Sequence, residues 1–157
     1  MIRPAKTDDV PRIVELGRLL HAASSYATQR FDEDKVADTM RALIGGSGVV
    51  FVAEIDGVVV GGIAGAVTEP WFSREKIAFD YSFFIDPARR HGVMAVRLLK
   101  TFFDWARRMG AERIHMGITT GVNVEETARL YRALGMKDAG ALFERQMTDD
   151  RGQKTEL

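Results

Sequence analysis

Residues 77–118 constrain the fold more than any other part of this chain. Ile77 to Ile85 reads as a strand, closed by Asp86-Pro87. From Gly92 to Met109, helical spacing puts Ala95, Val96, Leu99, Phe102, Phe103, Ala106 and Met109 on one face, and Gly110 supplies the stop. Arg113 to Ile118 reads as a second strand. A strand–helix–strand unit of this kind joins two parallel neighbours by a right-handed crossover. Upstream, Val49 to Ile55 and Val58 to Val67 flank Asp56-Gly57, a two-residue turn that specifies an antiparallel hairpin. A sheet holding both units is mixed, so the expected class is α/β with a mixed, α+β-like sheet.

The other segments supply flanking helices. A short strand opens near Ile2, and Thr7 reads as a helix N-cap with Asp8 and Asp9 in the first turn. Val10, Ile13, Val14, Leu16, Leu19 and Leu20 carry that helix to about His21. A second helix starts at Asp32 or Asp34, buries Val36, Ala37, Met40, Leu43 and Ile44, and stops at Gly45-Gly46-Ser47-Gly48. Val124 to Leu134 is a helix closed by Gly135, and Met136 to Met147 reads as one strand or two. The result is a central mixed sheet flanked by about four helices. Gly61, Gly62 and Gly65 weaken their strand and point to a bulge, a bend or a close approach to its backbone.

Composition removes several function classes. Twenty-two basic residues balance twenty-two acidic ones in 157, which argues against a nucleic-acid-binding domain. With no cysteine there is no disulfide, thiolate metal site or cysteine nucleophile. His21, His91 and His115 share no metal-ligand spacing, so no metal is expected. The start, Met1-Ile2-Arg3-Pro4-Ala5-Lys6, lacks the apolar core of a signal peptide. No apolar run approaches the ~20 residues of a membrane span. No membrane association and a cytoplasmic location are expected by default.

Arg89-Arg90-His91-Gly92 is the sharpest anomaly. A helix N-terminus is already positive and favours acids, yet no acid occurs between Ala88 and Asp104. An anion seated between turn and helix would reconcile the two, since glycine-turn N–H groups and arginines hold phosphate or pyrophosphate. The other reading is a solvated basic turn, its repulsion screened by salt. The turn ends a strand that begins a parallel crossover, where open α/β sheets bind ligands. It has neither the nucleoside-triphosphatase loop nor the three-glycine dinucleotide fingerprint.

These residues resemble the GNAT acetyltransferase superfamily. Ile2-Arg3-Pro4-Ala5 with Thr7-Asp8-Asp9 resembles its opening strand and first helix, and Val52 to Gly61 its central hairpin. Phe84 to Gly92 is similar to the end of its fourth strand and its pyrophosphate-binding turn, with Arg89 and Gly92 fitting the family pattern. Met94 stands where that pattern has a last small residue. Leu130-Tyr131-Arg132-Ala133-Leu134-Gly135-Met136 resembles its late helix, and Asn123 lies one residue further from the tyrosine than the family asparagine. The likeness spans residues 1–147, which it implies to be a single acetyltransferase domain, with 148–157 a polar tail. It implies a GNAT-like acyl-CoA N-acyltransferase fold and acetyl-CoA as co-substrate. The acceptor would be an amine of a small molecule or peptide, and family members often pair as homodimers through their late strands.

The resemblance also assigns roles. Backbone groups of Phe84 and Ile85 would bind the pantetheine arm and polarise the thioester carbonyl. Arg89, Arg90, His91, Gly92, Val93, Met94 and Ala95, with Asn123, would hold the rest of the cofactor. Tyr131 would be the general acid, because a phenol of pKa about 10 can protonate a thiolate near its own pKa. Its other reading is packing against the sheet. Asp80 is an acid within an apolar strand, either a base or an arginine partner, and alternation would place it on the side of Ser82 and Phe84. Glu54 and Glu69 are further candidates for the base. Tyr26, Phe31, Trp71 and Phe72 lie in the two loops that border the family's acceptor pocket. An alternative from another class is a catalytically degenerate coenzyme-A-binding or regulatory module of the same fold.

Overall fold

The computed structural model of the protein describes residues 1–89 and 92–147. Its strands are β1 (Ile2–Pro4), β2 (Val49–Ile55), β3 (Val58–Thr68), β4 (Lys76–Ile85) and β5 (Ala111–His115). Its helices are α1 (Val10–Ala23), α2 (Glu33–Ala42), α3 (Gly92–Arg108) and α4 (Val124–Ala133). The strands lie in chain order across one sheet, antiparallel from β1 to β4 and parallel between β4 and β5. This is the mixed sheet that the crossover and the hairpin require. Asp56 and Gly57 both have positive φ, 50° and 77°, which matches the right-handed twist of β2 and β3.

Alternation along β2 divides the interior in two. Val50 and Val52 face α1 and α2, packing with Val10, Ile13, Leu16 and Met40. Phe51 and Ala53 face the other way, toward Leu98, Leu99 and Phe102 of α3 and Tyr131 of α4. Phe102 is fully buried, worth about 2 kcal/mol of transfer free energy. Its ring lies over Gly65, where a Cβ would come within 2.6 Å of it and 2.4 Å of the Phe79 carbonyl. Gly62 does the same for Phe84, whose ring would sit 2.6 Å from a Cβ there. The β3 glycines thus admit aromatic rings against the backbone.

β3 and β4 pair with one residue left over: Gly65 opposes Asp80 and Ala64 opposes Ser82, so Tyr81 has no partner. The extra residue reverses the alternation. Before it, Ala78 faces the α3 side and Phe79 the α1 side; after it, Phe83 faces α3 and Phe84 faces α1. Asp80 therefore shares the face of Ala78, and simple alternation with Phe84 does not hold.

Three local expectations are corrected. Thr7 is not an N-cap: residues Thr7–Asp9 form a 3₁₀ turn before α1, and Asp9 accepts from Lys6 N at 2.7 Å and from both Arg3 terminal nitrogens. β5 begins at Ala111, directly after Gly110 (φ 81°), and ends at His115 rather than Ile118. Residues 136–147 form no strand among the described residues. Leu142 and Phe143 there are 71% and 91% exposed, so no burial offsets the entropy of ordering them as a strand.

Candidate active site

Parallel pairing ends early. β4 meets β5 only from Lys76 to Phe79, while β4 itself continues to Ile85. Its outer edge from Asp80 onward has no strand partner among the described residues, leaving backbone polar groups there open to a ligand. Over this fork lies a cleft of about 810 Å³. α1 and α2 wall one side, and the segment from Gly117 to Tyr131 walls the other. Ser25 fastens the walls together: its N–H donates to the Thr120 carbonyl at 2.7 Å and its hydroxyl to that of Thr119 at 2.9 Å.

Asp80 stands at the fork. Its Oδ1 accepts from Gly117 N at 3.4 Å, where the chain leaving β5 turns away. Burial raises its pKa to about 6, partly offset by the Gly117 N–H and its own backbone N–H. Tyr131, buried on α4, shares that face of the sheet. Burial first, and then the charge of Asp80, hold its phenol above the ordinary tyrosine range. Burial, the larger cause, weakens the expected match between phenol and thiolate, and the charge of Asp80 weakens it further. Among the described residues, no arginine bonds to Asp80.

The structure gathers most of the remaining candidates. Phe84, Ile85, Gly92, Ala95 and Asn123 line the same cleft as Asp80 and Tyr131. A Cβ added at Gly92 would meet nothing within 4 Å, so the helix end opens onto free space, and the first turn of α3 carries no acid. Asn123 stands at the N-cap of α4 in a left-handed conformation (φ 48°). Arg89 and Val93 are exposed on the turn outside the cleft lining. Met94 is 9% exposed, its side chain packed in the α3-side core, so it points away from the turn. Arg90 and His91 lie outside the described residues.

Other expectations separate. Tyr26 and Phe31 line the cleft, but Trp71 and Phe72 do not: they pack edge to face on each other and stand 96% and 71% exposed. The β3–β4 loop that carries them precedes Lys76, at the end of β4 opposite the fork. Glu54 bonds to Arg3, tying β2 to β1, and Glu69 lies by a separate small hollow near Trp105. Sequence reasoning missed Gly117 and the Ser25 strap. Ordinary serines and threonines carry no spacing signal, and only the parting of two strands brings the Gly117 N–H to Asp80. His21, to which the sequence assigned no role, lines the cleft with its ring 5.2 Å from that of Phe31.

A mixed sheet whose parallel strands part beneath a cleft, beside a helix N-terminus, is an α/β architecture with a ligand-binding crevice at the carboxyl end of its strands. Matched to the acetyltransferase (GNAT) family over residues 16–136, the chain belongs to that family and is an N-acetyltransferase. The aminoglycoside N-acetyltransferase AAC(6')-Iy, solved with coenzyme A, shares the fold at a TM-score of 0.74 and 16% identity, over 94% of each chain. The aminoglycoside acetyltransferase meta-AAC0020, from an uncultured soil metagenomic sample and solved with trehalose, has a TM-score of 0.70 and 20% identity over 94% of this chain and 95% of that one. A Trypanosoma brucei acetyltransferase has a TM-score of 0.69 and 16% identity, over 94% of this chain and 99% of that one. No curated protein matches the chain in sequence. Among the described residues, no helix is long and apolar enough to cross a membrane, and no cluster of potential metal ligands occurs.

Proposed function

We propose that residues 1–147 form one domain that transfers the acetyl group of acetyl-CoA to a primary amine of a small molecule or peptide. Asp80 acts as proton acceptor and Tyr131 as general acid. The observation that carries this reading is the placing of both groups at one fork, beside the open edge of β4 and the free helix end at Gly92. Coenzyme-A-bound neighbours of the same fold support the cofactor, and aminoglycoside-modifying ones support a small-molecule acceptor. A cytoplasmic setting, where cofactor and soluble amines meet, belongs to the same reading.

Bound acetyl-CoA supplies an activated acyl carbon and a thiol leaving group. Backbone groups of Phe84 and Ile85 orient the pantetheine arm and thioester along the open edge. Arg89, Arg90 and the N–H groups from His91 to Ala95 neutralise the pyrophosphate, and Asn123 contacts the arm from the other wall. Asp80, directly or through water, takes one proton from the incoming ammonium, holds it while the bonds exchange, and passes it to solvent afterwards. The neutral nitrogen forms the C–N bond and the C–S bond breaks. Tyr131 gives its proton to the departing sulfur and regains one from the acylated nitrogen. Proton transfer to Asp80 removes one of the two causes that weaken Tyr131 as an acid, so base and acid work in sequence.

A thiol-release assay with acetyl-CoA against amines, aminoglycosides, polyamines and peptides tests the reading. Turnover with at least one amine is expected, with product acetylated at nitrogen. Acetyl-CoA binding without turnover on any acceptor would favour a degenerate binding module instead.

A further inference from the structure

We infer that Arg12 is a positioning residue for the cofactor turn, acting through Asp86 from the first helix of the chain. The inference rests on the proposed seat of the pyrophosphate at the turn after β4. All three guanidinium nitrogens of Arg12 are engaged. Nε donates to the Val59 carbonyl at 3.0 Å, Nη2 to Asp86 Oδ2 at 3.1 Å and Nη1 to Glu15 Oε1 at 3.0 Å. The fork thereby fixes α1 against the start of β3 and the end of β4. Arg12 and Asp86 are both mostly buried, so water screens their pairing only in part.

Asp86 carries the turn on its remaining groups. Its Oδ1 accepts from Ala88 N at 3.0 Å, its carbonyl from Arg89 N at 2.8 Å, and its own N–H donates to the Val60 carbonyl at 2.7 Å. Val60 is the unpaired residue of a second bulge, between the pairs Ala53–Gly61 and Glu54–Val59, which frees this stretch of β3 backbone. Pro87 contributes no N–H, so the turn Pro87–Arg89 depends on Asp86 for its bonds. α1 also lends Gly17, Leu20 and His21 to the acceptor wall of the cleft. One guanidinium therefore sets the turn relative to the wall, and it neutralises the only carboxylate at that turn among the described residues.

Calorimetric binding of acetyl-CoA to Arg12→Met, Asp86→Asn and the double variant tests this, with steady-state kinetics on any accepted amine. If loss of the tether leaves the turn competent about a tenth of the time, Kd and KM for acetyl-CoA rise about tenfold. kcat at saturating acetyl-CoA and KM for the amine stay within about twofold, because the reacting groups are untouched. Asp86→Asn keeps an acceptor for Ala88 N, so it isolates the pair from the turn's own bond. The double variant is expected to be no worse than Arg12→Met, since both changes cut one link. Arg12→Lys, which restores charge without the fork, should recover part of the affinity, and it carries the test if Arg12→Met does not fold. Wild-type affinity in the variants, losses that multiply in the double, or a parallel rise in KM for the amine would overturn the inference. Failure of the unmodified protein to bind acetyl-CoA would instead strike the proposed function.

Discussion

Asp80 on β4 and Tyr131 on α4 share one corner of the cleft, and the charge of the first raises the proton affinity of the second. For Asp80 the same burial has opposite effects on stability and on chemistry. Below pH 3.8 both folded and unfolded chains hold its proton; between 3.8 and about 6 only the folded chain does, so stability falls as pH rises through that window. The full loss is bounded at about 3 kcal/mol. Asp80→Asn is therefore expected to melt at a higher temperature than wild type at pH 7–8 and at a similar one near pH 4. In kinetics, wild-type kcat/KM should climb with an apparent pKa near 6 as Asp80 ionises. The Asn variant should lose most activity near pH 7 and recover as pH approaches the acceptor's own pKa. A variant that melts lower and is impaired equally at every pH would mark Asp80 as structural. For Tyr131→Phe, stability should change by about 1 kcal/mol because the ring remains, while kcat falls roughly 10²-fold with KM little altered. More than half the wild-type rate, with chemistry limiting, would assign Tyr131 to packing. Both residues were legible: Asp80 as an acid in an apolar strand, Tyr131 through its motif. The side Asp80 faces was not, because it depends on a bulge created by pairing with β3.

Among the elements, α3 joins the core to the turn proposed for the cofactor, and Met94 shows how sharply the two faces divide. Its position in the motif suggested a side chain at the phosphates, whereas helical geometry swings it beneath the turn into the core. Met94→Gly is therefore expected to cost about 2–5 kcal/mol for the emptied volume, plus about 1 kcal/mol of helix propensity, with no gain in acetyl-CoA affinity. Tighter binding would show that the methionine does crowd the ligand. Strands and helices from β2 to α4 were readable because turn chemistry and apolar period agree there, Asp56-Gly57 and Gly110 most clearly. Residues 136–147 have apolar side chains but no partner edge that buries them, and a sequence pattern cannot supply a missing neighbour. The aromatic pair Trp71-Phe72 failed for a related reason: a loop's composition does not say which way it projects.

At the scale of the molecule, ligand binding reports on the whole assembly of fork, turn and helix end. Acetyl-CoA should raise Tm in proportion to RT ln(1 + [L]/Kd). Arg89→Ala is expected to leave the apo melt within about 0.5 kcal/mol, since the side chain is exposed, and to weaken acetyl-CoA about tenfold through one lost charge-assisted contact. An unchanged ligand-induced shift would remove Arg89 from the site. Both faces of the sheet meet in β4, where the single surplus residue at Tyr81 has a further consequence. β4 is read in two frames, one before and one after that residue, and the two are in step once it is discounted. Replacing Tyr81 by another residue is a change of one letter on a half-exposed surface. Deleting it joins the frames into one regular strand: Gly65–Asp80 and Ala64–Ser82 become consecutive pairs, and Asp80, Phe83 and Phe84 all keep their sides. The surplus residue therefore serves the cleft edge and not the core, and a chain lacking position 81 is expected to keep its packing and stability while the kink of β4 beside the cleft is lost.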